Sequence, residues 1–375
     1  MHWPPATTND SARGAGVPLG DVHVAAYRIP TDAPEADGTL EWDSTTLVIV
    51  TLRAGGIEAF GYTYADRSAA VLIHDTLAPL VSGRDAFAHA AIRDAALRRV
   101  RNLGSRGIAA TAIAALDNAL WDLRAKLLDI SVLDLLGAAR DRVAVYGSGG
   151  FTSYDEQRLT AQLSGWVGDG IARVKMKVGP DAAADRMRVA AARNAIGTDC
   201  ELFVDANGAY SRAQALAQAE AFATQGVTWF EEPVSSDHLE SLAALRLRAP
   251  AGMDIAAGEY GYDAFYFRRM LQAQAVDVLQ ADATRCGVSG FLQAAALCEA
   301  HGLPLSAHCA PSLHAALGCA RRVVRHVEYF HDHVRIEQRL FDGAARAVNG
   351  CIAPDRSRPG FGLVFKQADA AEFAL

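Results

Sequence analysis

Three acidic residues each end a short apolar run in the middle of the chain. Asp205 ends ELFVD, Glu231 ends VTWFE and Glu259 ends MDIAAGE. Three carboxylates brought together repel one another unless a cation neutralises them, since two unit charges about 4 Å apart interact by roughly 4 kcal/mol at a dielectric constant of 20. Each acid alone would more often be a solvated loop residue or an ion-pair partner. Their common place at three successive run ends predicts a metal site, and all-oxygen ligands with open positions favour Mg2+.

Two lysines precede this group in the run VKMKVG. Lys175 and Lys177 lie two residues apart, so a strand would turn both side chains to the same face. A pair of ammonium groups suits a buried face only where negative charge belongs, and a substrate carboxylate on Mg2+ would supply it. The metal would stabilise the enediolate formed when the α-hydrogen is lost. We expect Lys175 to hold the carboxylate and Lys177, with its pKa lowered by the two neighbouring cations, to act as base.

Three later residues could complete such a site. Asp282 and His308 end two successive runs, VDVLQAD and LPLSAHC. A carboxylate beside an imidazole fixes its tautomer and raises its basicity, which predicts a second base. Glu328 ends the run RHVE, and we expect it to be protonated so that it donates a hydrogen bond to the developing enediolate oxygen. The alternative is a plain ion pair of Glu328 with Arg325 or Arg335.

The elements that must position these residues begin at about Arg142. Eight short apolar runs alternate there with amphipathic segments of helical length, which predicts an α/β fold, a (β/α)8-type TIM barrel over residues 142–345. The C-terminal ends of barrel strands converge on one face, where active sites lie. The eight runs are RVAVYGSG, ARVKMKVG, LFVDANG, VTWFEEP, MDIAAGE, VDVLQAD, LPLSAHC and RHVEYF.

An α+β domain is predicted upstream of the barrel, over residues 21–141. Strand patterns at 22–29, 44–54 and 57–65 are followed by helical patterns at 68–80, 85–103 and 110–128, with Ser68 expected to cap the first helix. The polar stretch between the first two strands, from Pro30 to Thr45, is predicted to be a lid loop. We expect residues 1–20 to be a disordered leader and residues 346–375 to return to the first domain.

The composition excludes several classes of partner. The 375 residues are 51% apolar and carry a net charge of -7 without a basic run, which argues against nucleic acid. An apolar leader and a membrane-length apolar stretch are both missing from the sequence, so neither a signal peptide nor a membrane partner is expected. The six cysteines are scattered without a CxxC pair, which predicts reduced thiols and a cytoplasmic location.

These motifs resemble the enolase superfamily, and within it the mandelate racemase subgroup of the mandelate racemase/muconate lactonizing enzyme family. The superfamily is known for a Lys or His base working with Mg2+. The resemblance covers nearly the whole chain and implies that the first domain is a capping domain, that the chain is an enzyme, and that it forms a homo-oligomer. The matching residues are Lys175 and Lys177 in KMK, Asp205 in VDANG, Glu231 in FEEP, Glu259 in AGE, Asp282 and Arg285 in QADATRCG, His308 in SAHC, and Glu328.

The reaction stays open between two possibilities. Two bases on opposite faces of one carbon permit racemisation or epimerisation of a 2-hydroxy acid, and the same pair permits dehydration of an acid sugar to a 2-keto-3-deoxy acid. The His308–Asp282 pair argues against the muconate-lactonizing branch, which uses a lysine there. Other members with these motifs and the polar lid favour dehydration, although Trp42, Tyr62 and Tyr64 could stack on a ring. A non-catalytic barrel that binds a metal or a sugar acid is a further alternative.

Overall fold

The computed structural model describes residues 16–179 and 181–375. An antiparallel sheet near the N-terminus packs with several helices, and a closed barrel of eight parallel strands follows it. The predicted fold class is confirmed. No helix in these described ranges is long and apolar enough to cross a membrane.

Strands and helices alternate regularly after residue 142. The strands are β1 (His23–Ala36), β2 (Glu41–Ala54), β3 (Ile57–Tyr64), β4 (Val143–Gly149), β5 (Arg173–Lys177), β6 (Glu201–Asp205), β7 (Val227–Glu231), β8 (Asp254–Ala257), β9 (Val278–Ala281), β10 (Leu305–Ala307), β11 (Val324–Phe330), β12 (Phe341–Asp342), β13 (Cys351–Ile352) and β14 (Val364–Phe365). The helices are α1 (Arg67–Leu72), α2 (Ala78–Val81), α3 (His89–Arg99), α4 (Ile108–Leu127), α5 (Val132–Leu136), α6 (Glu156–Gly168), α7 (Ala182–Ile196), α8 (Arg212–Ala223), α9 (Leu239–Arg246), α10 (Ala264–Gln272), α11 (Ala283–His301), α12 (Pro311–Ala320), α13 (His331–Leu340) and α14 (Gln367–Ala370). A π-helical turn (Ile73–Leu77) joins α1 to α2, and a 3-10 turn (Ala371–Phe373) follows α14.

The barrel strands follow one another from β4 to β11, and β11 pairs with β4 to close the sheet. The register aligns the strand ends, because Lys177 lies opposite Asp205 and Asp205 lies opposite Glu231. Below these ends the interior is filled by a stack that includes the rings of Phe203 and Trp229, whose centroids are 5.2 Å apart. The polar strand ends therefore stand on a packed apolar base.

The first two strands are longer than predicted. The segment 30–45, expected to be a lid loop, is strand for most of its length, and only residues 37–40 turn between β1 and β2. The pairing shifts register between Pro30 and Glu35, so the irregular, proline-containing part of β1 is a bulge rather than a loop. The prediction of a loop was wrong here, because polar side chains can occupy the exposed face of a long hairpin whose other face is buried.

Helix α4 fastens this first domain to the barrel. Its Asn118 side chain donates to the carbonyl of Ala283 at 2.9 Å and accepts from the amide of Val288 at 3.0 Å. Both partners lie in α11, the helix that begins directly after Asp282. Gly61 of β3 permits the close approach of α4, because a Cβ atom there would lie 2.2 Å from the amide nitrogen of Ala119. The first domain thus helps to fix one strand end of the barrel.

Residues near both ends of the described chain form hydrogen bonds with the N-terminal domain. The part of the predicted leader up to residue 15 lies outside the described residues, but residues 16–20 are ordered, so the predicted disorder was wrong there. Leu19 is buried, and its amide donates to the carbonyl of Arg84 at 2.8 Å. At the other end the amide of Leu375 donates to the carbonyl of Ala26 at 3.0 Å. The predicted bounds of the domains stay predictions.

The first helix of the N-terminal domain starts earlier than the pattern indicated. Asp66, not Ser68, is its N-cap, and the Asp66 side chain accepts a hydrogen bond from the amide of Ser68. Both residue types can cap a helix, so composition alone did not separate them.

Candidate active site

Three buried carboxylates meet above the barrel interior. Asp205 and Glu231 are the last residues of β6 and β7, and Glu259 follows β8 by two residues. One oxygen from each lies within 4.8 Å of the others. Oε2 of Glu259 is buried and accepts no hydrogen bond from the described residues, since Nε2 of His308, 3.3 Å away, is not aligned to donate one. An all-oxygen donor set with an unsatisfied oxygen fits a hard divalent ion such as Mg2+.

The closeness of these carboxylates raises the pKa of Glu231, whereas Lys177 and Lys175 lower the pKa of Asp205. Burial, together with the neighbouring charge of Asp205, raises the pKa of Glu231 to about 8, although the ammonium of Lys175 opposes the shift. Nε1 of Trp229 donates to Oε2 of Glu231 at 2.9 Å and fixes its orientation. The carboxylates are thus close enough to disfavour the ionised form of Glu231, and a bound cation would relieve that repulsion.

The two lysines share one face of β5, as predicted, but each contacts the carboxylates. Nζ of Lys175 lies 2.7 Å from Oε1 of Glu231 and 2.8 Å from Oε1 of Glu328. Nζ of Lys177 lies 2.5 Å from Oδ2 of Asp205 and 3.1 Å from Oδ1 of Asn207. Lys175 is fully buried, whereas Lys177 lines a cavity above the carboxylates.

The predicted lowering of the Lys177 pKa is not observed. Burial and the Lys175 ammonium both favour the neutral amine, but the adjacent carboxylate of Asp205 outweighs them and raises the pKa of Lys177. The prediction counted the cation expected in the site and overlooked how close Asp205 lies to the amine.

His308 and Asp282 form the predicted pair. Nδ1 of His308 lies 2.8 Å from Oδ2 of Asp282, and Nε2 of His308 lies 3.3 Å from Oε2 of Glu259. Burial alone would lower the pKa of His308, but the carboxylates of Glu259 and Glu328 and the hydrogen bond to Asp282 raise it. The other oxygen of Asp282 accepts from the amide of Thr284 at 2.7 Å and caps α11.

The pKa of Glu328 lies well below its usual range, which argues against the predicted protonated carboxyl. Burial would raise its pKa, but the ammonium of Lys175 and the His308 ring outweigh burial and hold the pKa of Glu328 well below its usual range. Its ion-pair partner is Lys175, since Arg325 pairs with Asp254 and Arg335 pairs with Asp332. The alternative of an arginine partner was therefore also wrong.

A cavity of about 400 Å3 opens onto these residues. Lys177, Glu259, Asp282, His308 and Glu328 form its floor, and residues of the N-terminal domain form its upper wall. A small polar molecule placed there would contact Lys177, His308 and Glu259 together.

Sequence reasoning missed three residues of this site. Cys309, interpreted as core filler, has its Sγ 3.3 Å from Nε2 of His308, and its amide donates to Glu328 at 3.0 Å. His333 stacks on Tyr64 with ring centroids 3.5 Å apart, and burial lowers its pKa to about 3. Asn207 hydrogen-bonds Lys177. The sequence contained a signal for each of them. Cys309 directly follows His308 in SAHC, His333 is the second histidine of HDH after β11, and Asn207 is the last polar residue of VDANG.

Comparison with known proteins agrees with this geometry. The family model for the N-terminal domain of mandelate racemase/muconate lactonizing enzyme matches residues 22–137, and the model for the enolase C-terminal domain-like family matches residues 158–370. The chain belongs to the mandelate racemase/muconate lactonizing enzyme family. It is an enzyme of the enolase superfamily.

Three relatives illustrate the resemblance. The L-talarate/galactarate dehydratase of Salmonella typhimurium is 32% identical over 293 residues, which is 76% of this chain and 73% of that protein. The crystal structure of a mandelate racemase/muconate lactonizing enzyme-like protein from Rubrobacter xylanophilus is 47% identical with a TM-score of 0.93, covering 96% of this chain and 100% of that chain. A racemase from Streptomyces coelicolor, with bound magnesium, is 28% identical with a TM-score of 0.88, covering 95% of this chain and 100% of that chain.

Proposed function

We propose that this enzyme dehydrates a sugar acid to a 2-keto-3-deoxy acid. The observation that carries the proposal is that Lys177 and His308 border one polar cavity over the cluster of Asp205, Glu231 and Glu259. The two groups reach it from β5 and from the end of β10, on either side of the three strands that supply the carboxylates. A proton acceptor and a proton donor can therefore face one substrate from two sides.

The carboxylate end of the substrate belongs at the floor. Asp205, Glu231 and Glu259 would hold Mg2+, which when bound would polarise the substrate carboxylate and make its α-hydrogen more acidic. Lys175 keeps the cluster in place, because its ammonium bridges Glu231 and Glu328. Glu328 in turn is held by the hydroxyl of Ser148 at 2.6 Å. This network positions the substrate carboxylate and resists reorganisation as charge develops on it.

The proton transfers use the two cavity side chains. Asp205 would be a ligand of the bound cation and would then hold the Lys177 proton less tightly, so that Lys177 could act as the neutral amine. In that form it accepts the α-hydrogen, and the electron pair of that C–H bond forms the enediolate. Protonated His308 donates its Nε2 proton to the β-hydroxyl as the C–O bond breaks, so that water leaves. The resulting enol becomes the 2-keto acid. Asp282 holds Nδ1 of His308 at 2.8 Å and keeps Nε2 turned to the cavity.

Two observations favour dehydration over racemisation. The upper wall of the cavity presents the hydroxyl side chains of Ser44 and Thr46 and the carboxylates of Asp37 and Asp66, which suit a polyhydroxylated substrate, although Trp42 and Tyr64 also line it. A relative that this chain covers to 73% of its length is named a dehydratase. Racemisation of a 2-hydroxy acid is the second candidate, because the Streptomyces coelicolor protein is described as a racemase and the same two groups could deliver and remove one proton.

A screen of acid sugars for 2-keto acid formation in the presence of Mg2+ tests the proposal. We expect at least one acid sugar to yield the keto acid with the wild-type enzyme and none to do so with Lys177→Met. Deuterium incorporation at the α-carbon without keto acid would replace dehydration by racemisation. No exchange with any acid sugar or 2-hydroxy acid would leave a barrel that binds its ligand without reaction.

A further inference from the structure

The upper wall of the active-site cavity, here called the roof, carries negative charge. The roof comprises the cavity-lining residues of the segment 37–66, in the N-terminal domain. Its charged members are Asp37, in the turn between β1 and β2, and Asp66, at the start of α1. Within the parts of the chain that the structure describes, the roof contains no Lys, Arg or His.

We propose that the roof selects a sugar acid with one carboxylate and an uncharged, hydroxylated far end, and that Asp37 and Asp66 exclude sugar acids with a carboxylate at both ends. The inference rests on the proposed function and names the substrate class of the same site. The two classes are aldonates, with a terminal hydroxymethyl group, and aldarates, with a second carboxylate.

The distribution of cations orients the substrate. Lys177 and Arg285 line the cavity from the barrel side, and Arg285 lies 3.7 Å from Glu259, beside the metal cluster. The reacting carboxylate therefore belongs at the floor. The remaining carbon atoms of the substrate extend toward the roof. A second carboxylate at that end would meet the like charges of the roof.

Both roof carboxylates are fixed by backbone hydrogen bonds. Oδ1 of Asp37 accepts from the amides of Thr39 and Leu40 at 2.6 and 2.8 Å, and Oδ1 of Asp66 accepts from the amide of Ser68 at 2.8 Å. These bonds favour the ionised form, and the bonds from Ser68 lower the pKa of Asp66. In each carboxylate the second oxygen makes no hydrogen bond with the described residues, so it can accept one from a substrate hydroxyl.

Arg28 acts on Asp66 and helps to lower its pKa, but Arg28 does not line the cavity. Another arginine lines a neighbouring cavity. Arg106 lines a second cavity of about 340 Å3, whose walls also include the acids Glu232 and Asp237. Only Asn207 and Tyr260 border both cavities. Arg106 therefore lies among acids of its own cavity, and Arg28 is the arginine that acts on the roof, at Asp66.

Matched pairs of substrates test the inference. We would measure kcat/KM in Mg2+ for six-carbon aldonates and for the aldarates of the same configuration. The expected result is at least a tenfold preference for the aldonate. The double variant Asp37→Asn/Asp66→Asn should reduce that preference at least fivefold, mainly by improving the aldarate, because Asn keeps the backbone hydrogen bonds and removes the charges.

Asp43→Asn is the matched control. Asp43 lies on β2 beside the roof but borders a different cavity, so the substitution removes the same charge outside the roof. Its aldonate preference should equal that of the wild type. A wild-type preference for aldarates, or an unchanged preference in the folded double variant, would overturn the inference while leaving dehydration intact. Failure of every acid to exchange its α-hydrogen would instead overturn the proposed function.

Discussion

Nδ1 of His308 and Oδ2 of Asp282 lie 2.8 Å apart in a buried contact between the ends of β10 and β9. The other Asp282 oxygen caps α11, and α4 of the N-terminal domain hydrogen-bonds the first residues of that helix. The orientation of the imidazole is therefore set by the barrel and by the N-terminal domain together. Nε2 of His308 is left to face the cavity, beside Glu259.

Replacing the imidazole should separate the two half-reactions. We expect His308→Asn to lower the rate of water loss by about 10^2- to 10^4-fold, because the leaving hydroxyl loses its proton donor. Exchange of the α-hydrogen that faces Lys177 should continue in D2O, since the lysine is unchanged. Mass spectrometry of the recovered substrate measures the exchange, and keto acid formation measures the elimination.

A matched control for this variant is His301→Asn, which changes an exposed histidine at the end of α11 and should leave both rates at wild-type values. Equal loss of exchange and elimination in His308→Asn would show that His308 removes the α-proton, and the assignment of the two groups would have to be reversed.

Mg2+ should stabilise the folded enzyme through the three carboxylates. A ligand at 100 times its Kd contributes about 2.7 kcal/mol, which raises the melting temperature by several degrees. Glu259→Gln should remove most of this shift, because it neutralises the ligand whose Oε2 has no hydrogen-bond partner among the described residues. Differential scanning fluorimetry with and without Mg2+ measures the effect.

The control for the metal experiment is Asp32→Asn. Asp32 belongs to a separate group of possible ligands with Glu35 and His331, at the edge of the N-terminal domain. This variant should keep the full Mg2+ shift. An undiminished shift in Glu259→Gln would place the stabilising ion elsewhere.

Glu337 of α13 should make stability depend on pH. It is buried and accepts hydrogen bonds from the Tyr62 hydroxyl at 2.7 Å and the Ser312 amide at 2.9 Å, and burial raises its pKa to about 7. The folded state therefore binds the proton more tightly than the unfolded chain, whose carboxyl titrates near the ordinary value of 4.5. The contribution of Glu337 to stability is complete below about pH 4.5 and is lost as the pH rises to about 7.

Glu337→Gln carries no titrating group, so its stability relative to the wild type should rise between pH 5 and pH 8, by at most about 3 kcal/mol. Thermal unfolding across that range measures the change. Glu372→Gln alters an exposed glutamate near the C-terminus and should follow the wild-type curve. A constant difference between Glu337→Gln and the wild type would contradict the assigned pKa.

The barrel and the polar ends of its strands were predictable from the sequence. Parallel strands buried on both faces produce continuous apolar runs, and the polar residue that ends each run marks the face where a site can form. Asp205, Glu231, Glu259, Asp282 and His308 were located in this way, and the structure brings them together.

The protonation states were not predictable, because they depend on distances that a linear pattern does not contain. Spacing placed Lys175 and Glu328 at the same face, but it could not reveal the 2.8 Å contact that lowers the pKa of Glu328. The 2.5 Å contact between Lys177 and Asp205, which raises the pKa of the lysine, was hidden in the same way. The strand content of residues 30–36 was missed because polar, proline-containing segments are typical of loops.

The most direct test of the account is α-hydrogen exchange by Lys177. The acid sugar found in the screen is incubated in D2O with Mg2+ and with wild type, Lys177→Met or Arg173→Met, the last changing a cation at the other end of the same strand. The account predicts exchange and keto acid formation at comparable rates with wild type and Arg173→Met, and a loss of at least about 10^2-fold in both with Lys177→Met. Undiminished exchange in a folded Lys177→Met enzyme would contradict the central claim that Lys177 removes the α-proton.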